Sequence, residues 1–468
     1  MAVFSADKEA PVRKKTRNRL FAAMLVIIGI LAGILAFQTY WQTKKSTGTQ
    51  ERASVREQEG NTDGQTEPAD EVHEEGEPEP GQESEQKMEQ ESEQKMEQET
   101  EQKMEQEPVG EQESGDTAAR NILNSMTTEE KAAQIFFVTP EAITGVQTVT
   151  AAGDATKAAL EKYPVGGLVY FSANLISPEQ TRTMLANTWA YSQEVMKVPV
   201  YLGVDEEGGT VARVASNPAF SVTQYQGMRA IGDTGDPSQA YQAAQTISSY
   251  LKDLGFNMDF APDADVITNP ENKVIGNRSF GTDPQLVGDM VSAAVKGFRD
   301  QEMASCIKHF PGHGGTKGDT HEGYAYTDRT VEQMESAELL PFRSGIEAGV
   351  EFIMASHISA PNTPAGDTPA SLSSYMLTDL LREQMGYQGL VITDAMNMGA
   401  ISQQYSSAQA AVQAFQAGAD MILMPENFTE AYNGILQAVQ SGQITQERLD
   451  TSVLRILETK LEKFEKNP

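Results

Sequence analysis

Cysteine is almost missing from this chain: 468 residues carry one, Cys306. No disulfide can form within the chain, so a small disulfide-stapled scaffold is excluded. Positive charge is scarce as well, with 36 Lys and Arg against 67 Asp and Glu, for a net charge of −31. Such a chain is a poor partner for nucleic acid, whose phosphates must be met by a clustered basic face. Long apolar runs are limited to one, near the N-terminus, and no GxGxxG follows an early strand-like run, which argues against a dinucleotide-binding sheet. The charge is also unevenly spread, with nets of +6 over residues 1–50, −19 over 51–117 and −18 over 118–468. Three regions of different physical character are therefore expected.

The single apolar run, LFAAMLVIIGILAGILAF at 20–37, holds no charge, and Tyr40 and Trp41 follow where a bilayer interface accommodates amphipathic rings. Residues 20–42 read as a transmembrane helix. Arg13, Lys14, Lys15, Arg17 and Arg19 precede it and only Lys44 and Lys45 follow closely, so residues 1–19 are expected to be a cytoplasmic basic tail and the rest to face outward. A cleaved signal peptide is the alternative, with a shorter apolar region and a small-residue cleavage site. Residues 43–117 are rich in Glu, Gln, Ser, Gly and Pro and have too little apolar surface to offset the entropy of folding, so they read as a disordered acidic linker. An octapeptide recurs in it as ESEQKMEQ at 83–90 and 91–98 and ETEQKMEQ at 99–106. Its period does not suit a coiled-coil seam. As a flexible coil the linker would span about 45 to 50 Å, and more when like charges stretch it.

From residue 118 to 468 the pattern changes to short apolar runs alternating with amphipathic stretches. The runs are QIFFV (134–138), GGLVYF (166–171), PVYLGV (199–204), NMDFA (257–261), ASCIK (304–308), FIMAS (352–356), GLVIT (389–393) and DMILM (420–424). Between them lie helix-like segments such as 177–196, opening on Ser177, and 236–255, closing on Gly255. Alternating strand and helix units imply a parallel sheet, and this number of units over this length predicts an α/β fold, a (β/α)8 TIM-like barrel forming a single catalytic domain.

Barrel enzymes carry their chemistry in the loops that follow the strands. Asp205, Glu206, Glu207 and Arg213 follow the third run, Asp263, Asp265 and Arg278 the fourth, and Lys308 and His309 end the fifth. The fifth run opens into FPGHGGTKGDTHEG, which holds His313, Asp319 and His321. The sixth ends at His357, the seventh at Asp394, and the eighth leads to Glu426. One strand-end acid is usually a cap or a loop salt bridge, but polar groups at six successive strand ends point to a site. The spacing His309-x3-His313-x7-His321 allows a metal-dependent hydrolase, yet it lacks HExxH and puts a lysine beside the first ligand. No metal and no cofactor is expected, and His313, between glycines, is read as tying its loop down.

The runs KHFPGHGGTKGDTHEG at 308–323, VDEEGGTVAR at 204–213, FAPDADV at 260–266, GNRSFGTDP at 276–284 and VITDAMNMGA at 391–400 resemble family 3 glycoside hydrolases, most of all their β-N-acetylglucosaminidase branch. The resemblance implies that Asp394 is the nucleophile of a retaining exo-glycosidase. It implies that His321, paired with Asp319, is the acid/base, and that Asp205, Arg213, Arg278, Lys308 and His309 contact the sugar. Gly315 departs from the pattern, in which Asp often follows the GHG. The chemistry agrees with these roles. Histidine can donate a proton to a leaving oxygen and later take one from water near neutral pH. The expected substrates are N-acetylglucosamine-containing glycans, wall-derived muropeptides among them given an outward-facing, membrane-anchored enzyme. The alternative in the same fold is a β-glucosidase or β-xylosidase, and those in other classes are the metal-dependent hydrolase and a non-catalytic glycan-binding protein.

Overall fold

The computed structural model describes residues 112–464 apart from Lys197. The basic tail, the membrane span at 20–42 and the octapeptide repeats lie outside the described residues. Among the described residues no helix is long and apolar enough to cross a membrane.

Eight parallel strands follow in chain order: β1 (Phe136–Val138), β2 (Gly167–Tyr170), β3 (Tyr201–Val204), β4 (Met258–Asp259), β5 (Ala304–Phe310), β6 (Phe352–Ala355), β7 (Leu390–Thr393) and β8 (Ile422–Leu423). Each falls within or across one of the apolar runs. Neighbours in sequence are neighbours in the sheet, and β8 pairs with β1. The remaining gap, between β7 and β8, is crossed by a bridge of Ile392 with Met421, so the barrel is nearly closed.

The connecting helices form where capping chemistry permits. Gln180 N–H donates to Ser177 Oγ at 3.2 Å at the start of Pro178–Met196. Asp236 accepts from Ser238 N–H at 3.0 Å before Pro237–Leu254, which stops at Gly255 with φ of 101°. These bonds satisfy N–H groups that have no partner in the first turn. The barrel interior is filled by rings: Phe137 lies edge-on to Phe260 at 5.1 Å and Tyr201 edge-on to Phe352 at 5.1 Å. Gly167 is required there, since a Cβ at that position would fall 2.3 Å from the Phe137 ring.

Helix Gln112–Ser125 starts ahead of the expected boundary at residue 118 and packs on the C-terminal helix Gln446–Phe464. Burial of Ala119 and Leu123 gives the reason, since they supply an apolar face that the linker composition otherwise lacks. A cleft of about 210 Å³ on this side is lined by Ile122, Met126, Gln134, Pro164 and Val198, the last three lying just before β1, β2 and β3. The chain therefore joins the barrel at its floor, where the strands begin. The site described next is at the opposite end.

Candidate active site

Asp205 follows β3 directly, and a short hairpin of Glu206–Gly208 with Val211–Ala212 turns the chain back. Glu206 holds this turn. Its carboxylate accepts from Val214 N–H at 2.7 Å, Ala215 N–H at 2.8 Å and the Tyr250 hydroxyl at 2.9 Å. Glu207, buried, instead faces the barrel mouth and accepts both Arg278 Nε (2.8 Å) and a terminal Arg278 nitrogen (2.7 Å), while Lys308 Nζ lies 2.6 Å away. Burial alone would raise its pKa, but the Arg278 guanidinium and the Lys308 ammonium outweigh burial and hold the carboxyl well below the usual carboxylate range. Lys308 Nζ also donates to Asp205 Oδ1 at 2.9 Å, and a terminal nitrogen of Arg213 lies 3.5 Å from Asp205 Oδ2. Burial would discharge Lys308, yet Asp205 and Glu207 keep its pKa above the ordinary lysine value.

His309 sits between Asp265 and Arg278. Its Nδ1 is 2.7 Å from Asp265 Oδ2 and its Nε2 3.1 Å from a terminal nitrogen of Arg278. A guanidinium can only donate, so Nε2 accepts and Nδ1 carries the proton given to Asp265. Asp265 is held below the ordinary range despite burial, chiefly by His309. Asp263 beside it is pushed well above that range by burial and by the Asp265 charge. The two acids are thus driven in opposite directions, as close carboxyls sharing a buried space are.

The loop after β5 forms a pinned lobe. Lys317 and Tyr326 exchange two main-chain hydrogen bonds, at 2.9 and 3.0 Å, which close its base. His313 is buried and serves the loop, with Nδ1 2.7 Å from Thr316 Oγ1 and Nε2 3.3 Å from Thr320 Oγ1. At the tip, Asp319 Oδ1 accepts both the main-chain N–H of His321 and its Nδ1, each at 2.9 Å. The His321 side chain is 65% exposed, which leaves Nε2 available to a ligand. Burial would raise the Asp319 pKa, but the bonds from His321 hold it below its ordinary value. Gly315 fits this arrangement: a Cβ there would lie 2.5 Å from Thr268 Oγ1 and 3.1 Å from Glu338 Oε1. Glu338, paired with Arg329 at 3.3 Å, thus brings its carboxylate next to Gly315.

The lobe tip docks on the turn that follows Asp394. Ala400 N–H donates to the Thr320 carbonyl at 3.0 Å and Gly399 N–H to the His321 carbonyl at 3.3 Å. Asp394, immediately after β7, accepts from Ala395 N–H at 2.8 Å. Burial pushes its pKa up, but His357, His309, the Ala395 N–H and Lys308 together bring it below the ordinary value, so it is ionised at neutral pH. His357, at the end of β6, is buried and lies 3.0 Å from the Ala395 carbonyl through Nε2 and 2.8 Å from Ser371 Oγ through Nδ1. The carbonyl can only accept, so Nε2 carries the proton, and His357 braces Ala395, the residue whose own N–H bonds the Asp394 carboxylate.

The eight residues singled out from the sequence thus fall into three groups at one mouth: Asp205, Arg213, Arg278, Lys308 and His309 in an ionic cluster, Asp319 with His321 on the lobe, and Asp394 at β7. Glu207, Asp265 and His357 stand in the same strand-end positions but had no role assigned. The signal was available for Glu207 and Asp265, since several buried cationic or hydrogen-bond-donating side chains at a mouth need buried acids to balance them. The metal spacing does not converge: among the described residues the ligand atoms within 4.8 Å of one another belong to Asp263, Asp265 and His309. His313 and His321 belong to other bonds, and Arg278 presses its charge on this trio.

Polar side chains meeting from five strand ends at one mouth define an enzyme built on a parallel α/β barrel. Residues 127–459 match the model described as the glycosyl hydrolase family 3 N terminal domain, and the chain belongs to that family. It is 34% identical over 325 residues to beta-hexosaminidase A of Pseudoalteromonas piscicida, covering 64% of this chain and 54% of that protein. It is 33% identical over 266 residues to a beta-hexosaminidase of Nitrosomonas eutropha, covering 56% and 73%. A solved family 3 beta-N-acetylglucosaminidase from a Paenibacillus species is similar with TM-score 0.69 and 37% identity, over 74% of this chain and 64% of that one. The chain therefore spans about half of the first relative's length and under two thirds of the solved structure.

Proposed function

We propose that this protein is a retaining exo-β-N-acetylglucosaminidase that removes terminal β-linked N-acetylglucosamine. The observation that carries the reading is the docking of the His321 lobe on the turn after Asp394, through the Thr320 and His321 carbonyls. The His321 lobe and the segment that begins at Asp394 are thereby held together, as the proposed pair of roles requires. In the first step Asp394 attacks the anomeric carbon, and protonated His321 gives its Nε2 proton to the departing oxygen. Asp319 holds Nδ1, so the exchangeable proton belongs to Nε2. In the second step neutral His321 takes a proton from water, which attacks the glycosyl ester and releases the sugar with its configuration retained. Asp205, Lys308, His309, Arg278 and Arg213 meet the sugar hydroxyls and acetamido group. Arg213 Nε, buried with no hydrogen-bond partner, is an unmet donor suited to this task.

One variant assayed on two substrates tests the acid role. His321→Ala is expected to lower kcat/KM, which reports the first step alone, by about 10²- to 10⁴-fold on N,N′-diacetylchitobiose. The loss should be far smaller on a 2,4-dinitrophenyl N-acetylglucosaminide, whose acidic phenol leaves without a proton. Equal losses on both substrates would remove His321 from the acid role.

The names of the relatives support a hexosamine substrate, and the span and spacer read from the sequence support an outward, membrane-tethered setting. In that setting the substrates are peptidoglycan fragments ending in N-acetylglucosamine. Fractionation checks the location: the full-length chain should sediment with membranes and be shaved from intact cells by protease. A shortened, freely secreted product would oppose it.

A further inference from the structure

Among the described residues three large apolar side chains are classed as exposed: Val146 (43%), Ile176 (57%) and Tyr324 (50%). All three lie in segments that follow a strand on its C-terminal side, after β1, β2 and β5 respectively. Single exposed apolar residues are ordinary on a protein surface. Their confinement to the segments that build the active mouth is not, and it marks that face as one that meets a ligand.

Tyr324 stands out because its ring is fixed. It stacks on Tyr326 with centroids 5.6 Å apart and planes 24° from parallel, and its hydroxyl donates to Asp367 Oδ1 at 3.0 Å. Asp367 belongs to the loop after β6, and its carbonyl accepts from Ser359 Oγ at 2.8 Å. The lobe is stitched to that loop, with Ser359 N–H donating to the Ala325 carbonyl and Thr327 N–H to the Ser359 carbonyl, each at 2.9 Å. One ring face is thus covered by Tyr326, the hydroxyl is tied back, and half of the residue remains open. An aromatic ring so held costs little entropy when a second ring is laid on it.

We infer that Tyr324 is the binding platform for the leaving group, and that this leaving group is a pyranose ring. The inference rests on the reading of His321 as the proton donor. A donor must lie beside the oxygen that departs, so the leaving group has to sit against the lobe that carries His321. Tyr324 is three residues further along that lobe. The apolar C–H face of a sugar ring matches a flat, partly open phenol, and the ring hydroxyls keep their water at the rim. The enzyme then selects on both sides of the bond, by the ionic cluster for the N-acetylglucosamine and by Tyr324 for the sugar it is attached to.

The test compares two substrates of the full-length protein: N,N′-diacetylchitobiose, whose leaving group is a sugar, and N-acetylglucosaminyl β-fluoride, whose leaving group is one atom. Tyr324→Ala should lower kcat/KM about tenfold on the disaccharide and less than twofold on the fluoride. Tyr324→Trp should restore the disaccharide rate. Equal losses on both substrates, or no loss on the disaccharide, would overturn the platform. Wild-type protein that cleaves neither substrate would instead overturn the glycosidase reading itself.

Discussion

Asp394→Ala is expected to abolish turnover, with kcat falling by about four orders of magnitude or more on any β-N-acetylglucosaminide. Alanine cannot form the glycosyl ester, and no other carboxylate is placed to replace it. Asp319 is bonded to His321, Asp205 to Lys308, and Asp265 to His309. Sugar binding should survive, because the five residues of the ionic cluster are untouched, and titration calorimetry with N-acetylglucosamine reads this separately from rate. The pH profile supplies a further check. Asp394 is held below its ordinary pKa by His357, His309, Ala395 N–H and Lys308, against the effect of burial. The nucleophile therefore stays ionised as acid is added, until the pH falls below the usual aspartate value near 3.9. A variant with near wild-type kcat would remove Asp394 from the reaction.

Glu207→Ala is expected to reduce stability by about 3 kcal/mol and to weaken sugar binding at the same time. The carboxylate holds two Arg278 nitrogens and Lys308, all nearly inaccessible to water. Its removal leaves two buried cations short of an anion. Part of the loss is recoverable. Asp263 Oδ2 is 3.7 Å from Arg278 Nε, and the Glu207 charge is one of the causes that raise the Asp263 pKa, so in the variant this acid is better able to balance Arg278. Denaturant unfolding of both proteins measures the difference. The sign of its pH dependence follows from the depressed pKa of Glu207: the folded carboxyl binds its proton less readily than the unfolded one. Its contribution is complete above the unfolded value near 4.3 and disappears as the pH falls through the folded value. The gap between wild type and variant should therefore narrow in acid. An unchanged unfolding midpoint at neutral pH would show that Glu207 carries no such load.

The barrel could be read from the order of apolar runs because its strands are buried on both faces, and each becomes a short continuous run rather than an alternating one. QIFFV and FIMAS are examples, shortened in the structure to Phe136–Val138 and Phe352–Ala355. The site residues were readable from where the runs stop. Asp394 and Lys308 needed only the rule that barrel chemistry follows the strands. The pairing of charges was not readable, since Glu207 and Glu206 are chain neighbours with opposite duties, one facing Arg278 and the other bracing Val214 and Ala215. Nothing in two adjacent glutamates distinguishes them before the hairpin turns. The docking of the lobe was unreadable for a similar reason. Lys317, Tyr326, Thr320 and His321 bond it at base and tip through the main chain, which carries no side-chain signature.

The route by which the polypeptide enters the barrel has a mechanical consequence. Whatever precedes residue 112 is joined to the floor, near the starts of β1, β2 and β3, while substrates arrive at the far end. A pull applied through that leader acts on the blind side of the molecule. The mouth that carries Asp394 and His321 faces away from that point of attachment, so its strand-end loops are not crossed by helix Gln112–Ser125.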